Sequence, residues 1–194
     1  MAYLERPALK SLGFVTLGED VRISDRASIY NASAIKLGSH VRVDDFCILS
    51  AGLGGIVLGD HIHIAAYTSL IGAGRITVDD FGNVSSRVSI YSSSDDYSGA
   101  TMTNPTISEK YKNVHAEDVV ISRHVIIGCG SVVLPGAILG EGVAIGALSV
   151  VKGDCAPFGV YVGAPARRVR ERSRKLLAVE ARFLTDQAAA RDSR

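Results

Sequence analysis

From Ile121 onward an aliphatic side chain returns at every sixth position, at Ile127, Val133, Leu139, Ile145 and Val151. Four positions after each comes a small or β-branched residue: Val125, Ser131, Ala137, Val143, Ser149 and Cys155. A period of six matches neither the 3.6 of a helix nor the 2 of a lone strand, so it belongs to a supersecondary unit that repeats by stacking. The stretch is long enough and poor enough in charge to cross a bilayer as a helix. Pro135 and the glycines at 128, 130, 136, 140, 142 and 146 argue against that, because they break helices and punctuate turns. The pattern predicts an all-β parallel solenoid and no membrane span.

The same register runs backward through the chain. It appears at Leu17, Ile23 and Ile29, at Leu37, Val43 and Leu49, at Leu58, Ile64 and Leu70, and at Val78, Val84 and Ile90. Steps within each triplet are six residues, whereas the steps between triplets are eight (Ile29 to Leu37), nine (Leu49 to Leu58), eight (Leu70 to Val78) and thirty-one (Ile90 to Ile121). Every insertion follows a third hexapeptide. Three hexapeptides therefore make one triangular coil, all extra residues leave from one corner, and the chain counts out as six coils. At about 4.8 Å per coil the core is roughly 24 Å tall.

Two helical segments flank the repeat. Pro7 to Gly13 reads as a short helix, with Pro near its start and Gly past its end, capping the first coil's open core and unpaired edge. From about Ala166 the period turns helical: Val169, Leu176, Leu177, Ala181, Phe183 and Leu184 recur at threes and fours, behind Pro165 at the first turn. This predicts an amphipathic helix whose apolar face needs the prism or a neighbouring subunit, with a frayed tail from Gln187 to Arg194. The predicted organisation is thus a cap at 1–16, a solenoid at 17–164 with an inserted loop at 91–118, and a C-terminal helix and tail at 165–194.

Composition narrows the function classes. One domain suits 194 residues, and a net charge of +1 gives no overall field for nucleic acid, although 165–194 carries nine Lys/Arg against four Asp/Glu. Met1 to Lys10 lacks the apolar core of a signal peptide, which points to the cytoplasm. Cys47, Cys129 and Cys155 are odd in number and widely spaced, so they are expected to be structural rather than bridged or metal-bound.

The candidate chemistry lies in the inserted loop. Tyr91 to Asp118 concentrates hydroxyls, the adjacent carboxylates Asp95 and Asp96, and tyrosines able to hydrogen-bond a sugar. Loops of this length within a compact domain are usually functional or disordered. His40, His61 and His124 share the fourth place of the first hexapeptide in their coils, so they are expected to stack along one edge with Asp20 and Phe81. His115 lies in the loop itself.

The register resembles the left-handed parallel β-helix of the hexapeptide-repeat acyltransferases. The likeness is carried by Ile127 to Gly136, Ile145 to Lys152 and Gly163 to Arg170. A closer likeness, through Val41 to Ser50 and Ile90 to Gly99, is to the dTDP-4-amino-4,6-dideoxy-D-glucose acyltransferases of bacterial surface-polysaccharide pathways. The left hand comes from this resemblance. It also implies a homotrimer, acetyl-CoA as donor with no metal, and donor contacts at Cys129, Ala147, Lys152, Arg167 and Arg170. Where sugar acetyltransferases of the family place a catalytic histidine, five residues beyond Ile90, this chain has Asp95. An alcohol needs a base with a pKa near that of imidazole to attack a thioester, whereas an amine attacks through its own lone pair and needs only a carboxylate to orient and deprotonate it. The expected reaction is therefore N-acylation of a nucleotide-linked deoxyamino sugar, by direct transfer in a ternary complex, with Asp95 or Asp96 on the acceptor side. Two other readings stay open: O-acetylation of a saccharide with His115 or His124 as base, and a non-catalytic scaffold. The γ-type carbonic anhydrases share the fold but require two zinc histidines five residues apart, and His115 and His124 are nine apart.

Overall fold

The computed structural model describes residues 2–192. Short parallel strands stack into three sheets that form the faces of a triangular prism. The first face holds Thr16–Leu17, Ile35–Leu37, Ile56–Leu58, Ile76–Val78, Val119–Ile121 and Ile138–Leu139. The second holds Arg22–Ile23, Arg42–Val43, His63–Ile64, Asn83–Val84, Ile126–Ile127, Ala144–Ile145 and Gly159–Val162. The third holds Ser28–Tyr30, Ile48–Ala51, Ser69–Gly72, Ser89–Tyr91, Val132–Val133 and Val150–Val151.

Neighbouring coils pair in register, so like positions stack. Val84, for example, lies between Ile64 and Ile127, and all three are fully buried. The two-residue strands aim one aliphatic side chain inward and the three-residue strands of the first face aim two, each worth about 1.5–3 kcal/mol when fully buried. The small followers close the corners: Val125, Ser131, Ala137, Val143 and Ser149 are all buried, and the Ser131 and Ser149 hydroxyls both donate to the Gly146 carbonyl.

The solenoid has about seven coils rather than the six expected. Past Val151 the six-residue spacing fails, but Cys155 still bridges to Leu139 on the first face, and Val160 and Tyr161 continue the second face beside Ala144 and Ile145. Tyr161 fills an aliphatic place because its hydroxyl accepts a hydrogen bond from the Ala156 amide (2.7 Å). The N-terminal cap forms at Arg6–Ser11 (α1), where Leu9 plugs the open core and Gly13 takes the left-handed conformation just past the end.

The C-terminal segment departs from expectation. Arg167–Glu171 is not helical but an antiparallel strand on Gly159–Val162. It closes the last sheet edge, which would otherwise be left unpaired. Arg172 then anchors the chain, donating to the carbonyls of His124 (2.7 Å), Gly142 (3.0 Å) and Val143 (3.4 Å). The helix α2 begins only at Lys175 and runs to Asp192, through much of the segment expected to fray. Ser193 and Arg194, the end of that expected tail, lie outside the described residues.

The corner between the first and second faces carries the expected stack. His40 on His61, His61 on Phe81 and Phe81 on His124 are parallel at 4.6, 5.1 and 5.0 Å. Asp20, His40, His61, Phe81 and His124 all have φ between 49° and 60°, a left-handed turn at the same place in five coils. Helix α2 lies over this stack and sets Phe183 edge-on to His61 (5.3 Å) and Phe81 (6.2 Å). The partner of α2 is thus the prism. No helix among the described residues is long and apolar enough to cross a membrane.

Candidate active site

All four insertions leave from the corner after the third face, as the spacing predicts, and the longest is the loop between Tyr91 and Val119. Its base is pinched by an antiparallel pair, Ser93 opposite Ala116 and Ser94 opposite His115. Ser92, buried beside it, donates to the Gly74 carbonyl (2.7 Å). The loop therefore leaves the prism from a fixed root.

At that root, a cavity of about 380 Å³ opens between the loop and the third face. Tyr91, Ser93, Ser94, Asp95 and Tyr97 line one side, and Val132, Leu134 and Pro135 the other. The carboxylate of Asp95 is exposed and makes no hydrogen bond with any described residue. A lone carboxylate beside two phenol rings and two hydroxyls, over an apolar floor, suits a sugar bearing a cationic substituent.

The other three acceptor-side candidates are placed differently. Asp96 accepts hydrogen bonds from the Ser98 amide (2.8 Å) and the Thr101 hydroxyl (2.9 Å), which hold its carboxyl below the usual range, the Ser98 contacts foremost. It caps a turn of the loop and does not line the Asp95 cavity. His124 lies under α2, where its Nε2 is 2.8 Å from Glu180, whose other oxygen is paired with Arg123. Burial, and after it the charge of Arg123, lowers its pKa. It therefore belongs to the helix-docking groove with His61, Phe81, Leu176, Val179 and Phe183, which is separate from the Asp95 cavity, and it is not placed to serve as a base there. His115 is exposed, pairs with Glu117 (2.8 Å) and stands at the loop root without lining the cavity.

The five donor-side candidates are all exposed. Cys129 and Ala147 occupy the corner between the second and third faces in successive coils, the amide of Leu148 donating to the Cys129 carbonyl (2.9 Å). Arg167 joins them there, opposite Val162 on the closing strand. Lys152 stands at the far end of the third face, and Arg170 lies farther along the closing strand, opposite Val160. The structure thus brings three of the five to one corner. Sequence reasoning passed over Ser85, half-buried at that same corner in the coil just before the loop, with its amide and carbonyl held by Ile127 and Thr68.

No protein-family model matches the chain. It is 57% identical over 183 residues to the dTDP-4-amino-4,6-dideoxy-D-glucose acyltransferase of Escherichia coli, covering 94% of this chain and 95% of that protein. Among solved structures it resembles AntD, an N-acyltransferase from Bacillus cereus in complex with dTDP and 3-hydroxybutyryl-CoA, at 43% identity and a TM-score of 0.92, covering 96% of this chain and 98% of that one. A serine variant of AntD in complex with dTDP-4-amino-4,6-dideoxyglucose and coenzyme A matches at 43% identity and a TM-score of 0.91, covering 95% and 98%. The AntD variants replace one serine or one aspartate, and the same number of residues separates Ser85 from Asp95 here. Identity of this extent, over nearly the whole of both chains, places the chain in the dTDP-4-amino-4,6-dideoxy-D-glucose acyltransferase family of hexapeptide-repeat acyltransferases.

Proposed function

We propose that this protein transfers an acyl group from acyl-CoA to the amino group of a dTDP-linked 4-amino-4,6-dideoxyglucose, with Asp95 as the acceptor-side carboxylate. The carrying observation is the unpartnered carboxylate of Asp95 in a sugar-sized cavity where related enzymes of this fold are expected to place a histidine. In the proposed step the amine lone pair attacks the thioester carbonyl carbon. The C–N bond forms, the C–S bond breaks, and the CoA thiolate departs. Asp95 orients the amine and takes the proton that the nitrogen loses, and the thiolate is protonated as it leaves. A carboxylate suffices because an amine, unlike an alcohol, needs no strong base. Ser85 is included on the acceptor side, because its spacing from Asp95 matches that of the two residues varied in AntD. Cys129, Ala147, Lys152, Arg167 and Arg170 form the donor side, with exposed backbone for the pantetheine arm and cations for the phosphates.

The assembly proposed is a homotrimer with sites at subunit boundaries. The outward positions of the third face bear no charge from Ser28 to Val150, presenting Ile48, Ile71, Tyr91, Val132, Leu134 and Val150, whereas Lys36, Arg22 and Arg42 stud the outer sides of the other two. An uncharged face that adjoins the Asp95 cavity suits a second copy of the same chain. A cytoplasmic location and a role in bacterial surface-polysaccharide synthesis, including O-antigen, complete the reading.

The test is Asp95→Asn. Because an amide of the same shape replaces an exposed acid, melting temperature and CoA affinity should hold while turnover with the amino sugar falls by roughly 10²–10⁴-fold. His115→Asn should cost far less. Near-normal turnover in Asp95→Asn, or a dominant His115 effect, removes the assignment.

A further inference from the structure

The closing strand is weakly held for a segment that carries two donor-side cations. All five residues of Arg167–Glu171 are exposed, so the strand buries no side chain of its own. It is the last strand of its sheet and pairs on one side only, with Gly159–Val162. Val169 is an extra residue in that pairing, since Arg170 lies opposite Val160 and Arg168 opposite Tyr161, and a bulge of this kind interrupts the ladder. Few buried contacts and one-sided pairing make a segment that opens locally at small cost.

The two ends of the strand supply what its middle lacks. It crosses the second face from the donor corner to the corner under α2. At the donor end the Ala166 amide donates to the Val150 carbonyl (2.8 Å). At the other end the grip is made by one side chain. The Arg172 amide donates to the Phe158 carbonyl (2.7 Å), and its guanidinium reaches the carbonyls of His124 (2.7 Å), Gly142 (3.0 Å) and Val143 (3.4 Å). His124, Gly142 and Phe158 take the same left-handed place in three successive coils, with φ of 59°, 68° and 52°. Arg172 therefore fastens the strand to the corner of the prism itself, and Arg174 adds its guanidinium over the buried Phe158 ring at 4.1 Å.

Two features separate this arginine from the donor-side cations. No carboxylate pairs with it among the described residues, so its hydrogen bonds go to carbonyl oxygens. It also stands at the corner between the first and second faces, across the second face from Cys129, Ala147 and Arg167. His124 is its foothold and that of α2 together, with the ring on Glu180 and the carbonyl on Arg172.

Resting on the donor side proposed above, we infer that Arg172 is a positioning residue for the acyl donor: its grip on the His124, Gly142 and Val143 carbonyls keeps the closing strand in register, so that Arg170 and Arg167 are presented to the phosphates of acyl-CoA. Arg172 touches neither substrate. Apparent donor affinity falls in proportion to the fraction of molecules whose strand is in place, so the grip acts on donor binding and leaves the chemical step alone.

The test measures steady-state kinetics and, in the CoA-free protein, amide hydrogen exchange across residues 167–171, in wild type, Arg172→Met and Arg172→Lys. Arg172→Met should raise KM for acetyl-CoA by about 10-fold, from the loss of hydrogen bonds made by a charged donor, and should speed exchange in the strand. Turnover at saturating acetyl-CoA and KM for the sugar nucleotide should stay within about twofold. Arg172→Lys can still donate to the same carbonyls and should recover part of both effects together; it carries the comparison if the Met variant does not fold. Faster exchange with KM for acetyl-CoA unchanged overturns the inference, because the order of the strand would not matter to the donor. A raised KM with exchange unchanged also overturns it, since Arg172 would then act on the donor directly. The proposed function fails separately, when wild type itself binds no CoA.

Discussion

Asp95 and Asp96 are adjacent carboxylates with opposite fates. The Ser98 and Thr101 contacts consume Asp96, while the loop root turns Asp95 into the cavity unpaired. Both were legible in the sequence as acids in the right loop, but what separates them was not, because it depends on which way a turn of the loop faces. In the assay used for Asp95→Asn, Asp96→Asn should retain most of the wild-type turnover, since an amide oxygen can still accept from Ser98. His124 was likewise legible as part of an edge stack. Its place under α2, paired with Glu180 and away from the Asp95 cavity, was not, because that required knowing where α2 would lie.

Helix α2 and the strand before it mark where pattern reading reached its limit. Arg167 to Glu171 has helix-favouring residues and a single aliphatic, and only the open edge of Gly159–Val162 makes it a strand. Tertiary context overrode propensity there. The six-residue repeat was robust because every coil restates it. The docking of α2 gives a pH dependence with a definite sign. Burial and Arg123 hold His124 below its ordinary value of 6.5, so on acidification the unfolded chain takes up this proton before the folded one does. Stability from this site should therefore be full above about pH 6.5 and decline as pH falls through the window below it. Thermal melts from pH 8 to pH 5 on wild type and His124→Gln check this: wild type should lose stability on acidification more steeply than the variant. Parallel profiles would show that His124 is not a linked group.

At the scale of the molecule, about seven stacked coils form a prism with one face that bears no charge from Ser28 to Val150, one corner covered by a helix and one corner left open. The fold was readable almost entirely, since the period, the three-hexapeptide coil and the insertion corner are all local statements about residue spacing. The site was readable only in its residue types, because its walls come from segments far apart in the chain, Tyr91 to Tyr97 against Val132 to Pro135. If the third face meets its own copies, light scattering at micromolar concentration should give three times the chain mass, and a monomer at that concentration would oppose sites built at subunit boundaries. The most direct test of function uses the wild-type protein with acetyl-CoA and either dTDP-4-amino-4,6-dideoxyglucose or its 4-hydroxyl analogue, following free thiol and the acylated sugar by mass. Thiol release should match formation of a product from the amine that survives mild base, as an amide does, with little turnover of the hydroxyl analogue. Base-labile acylation of the hydroxyl analogue, with the amine left untouched, would contradict the N-acyltransferase assignment.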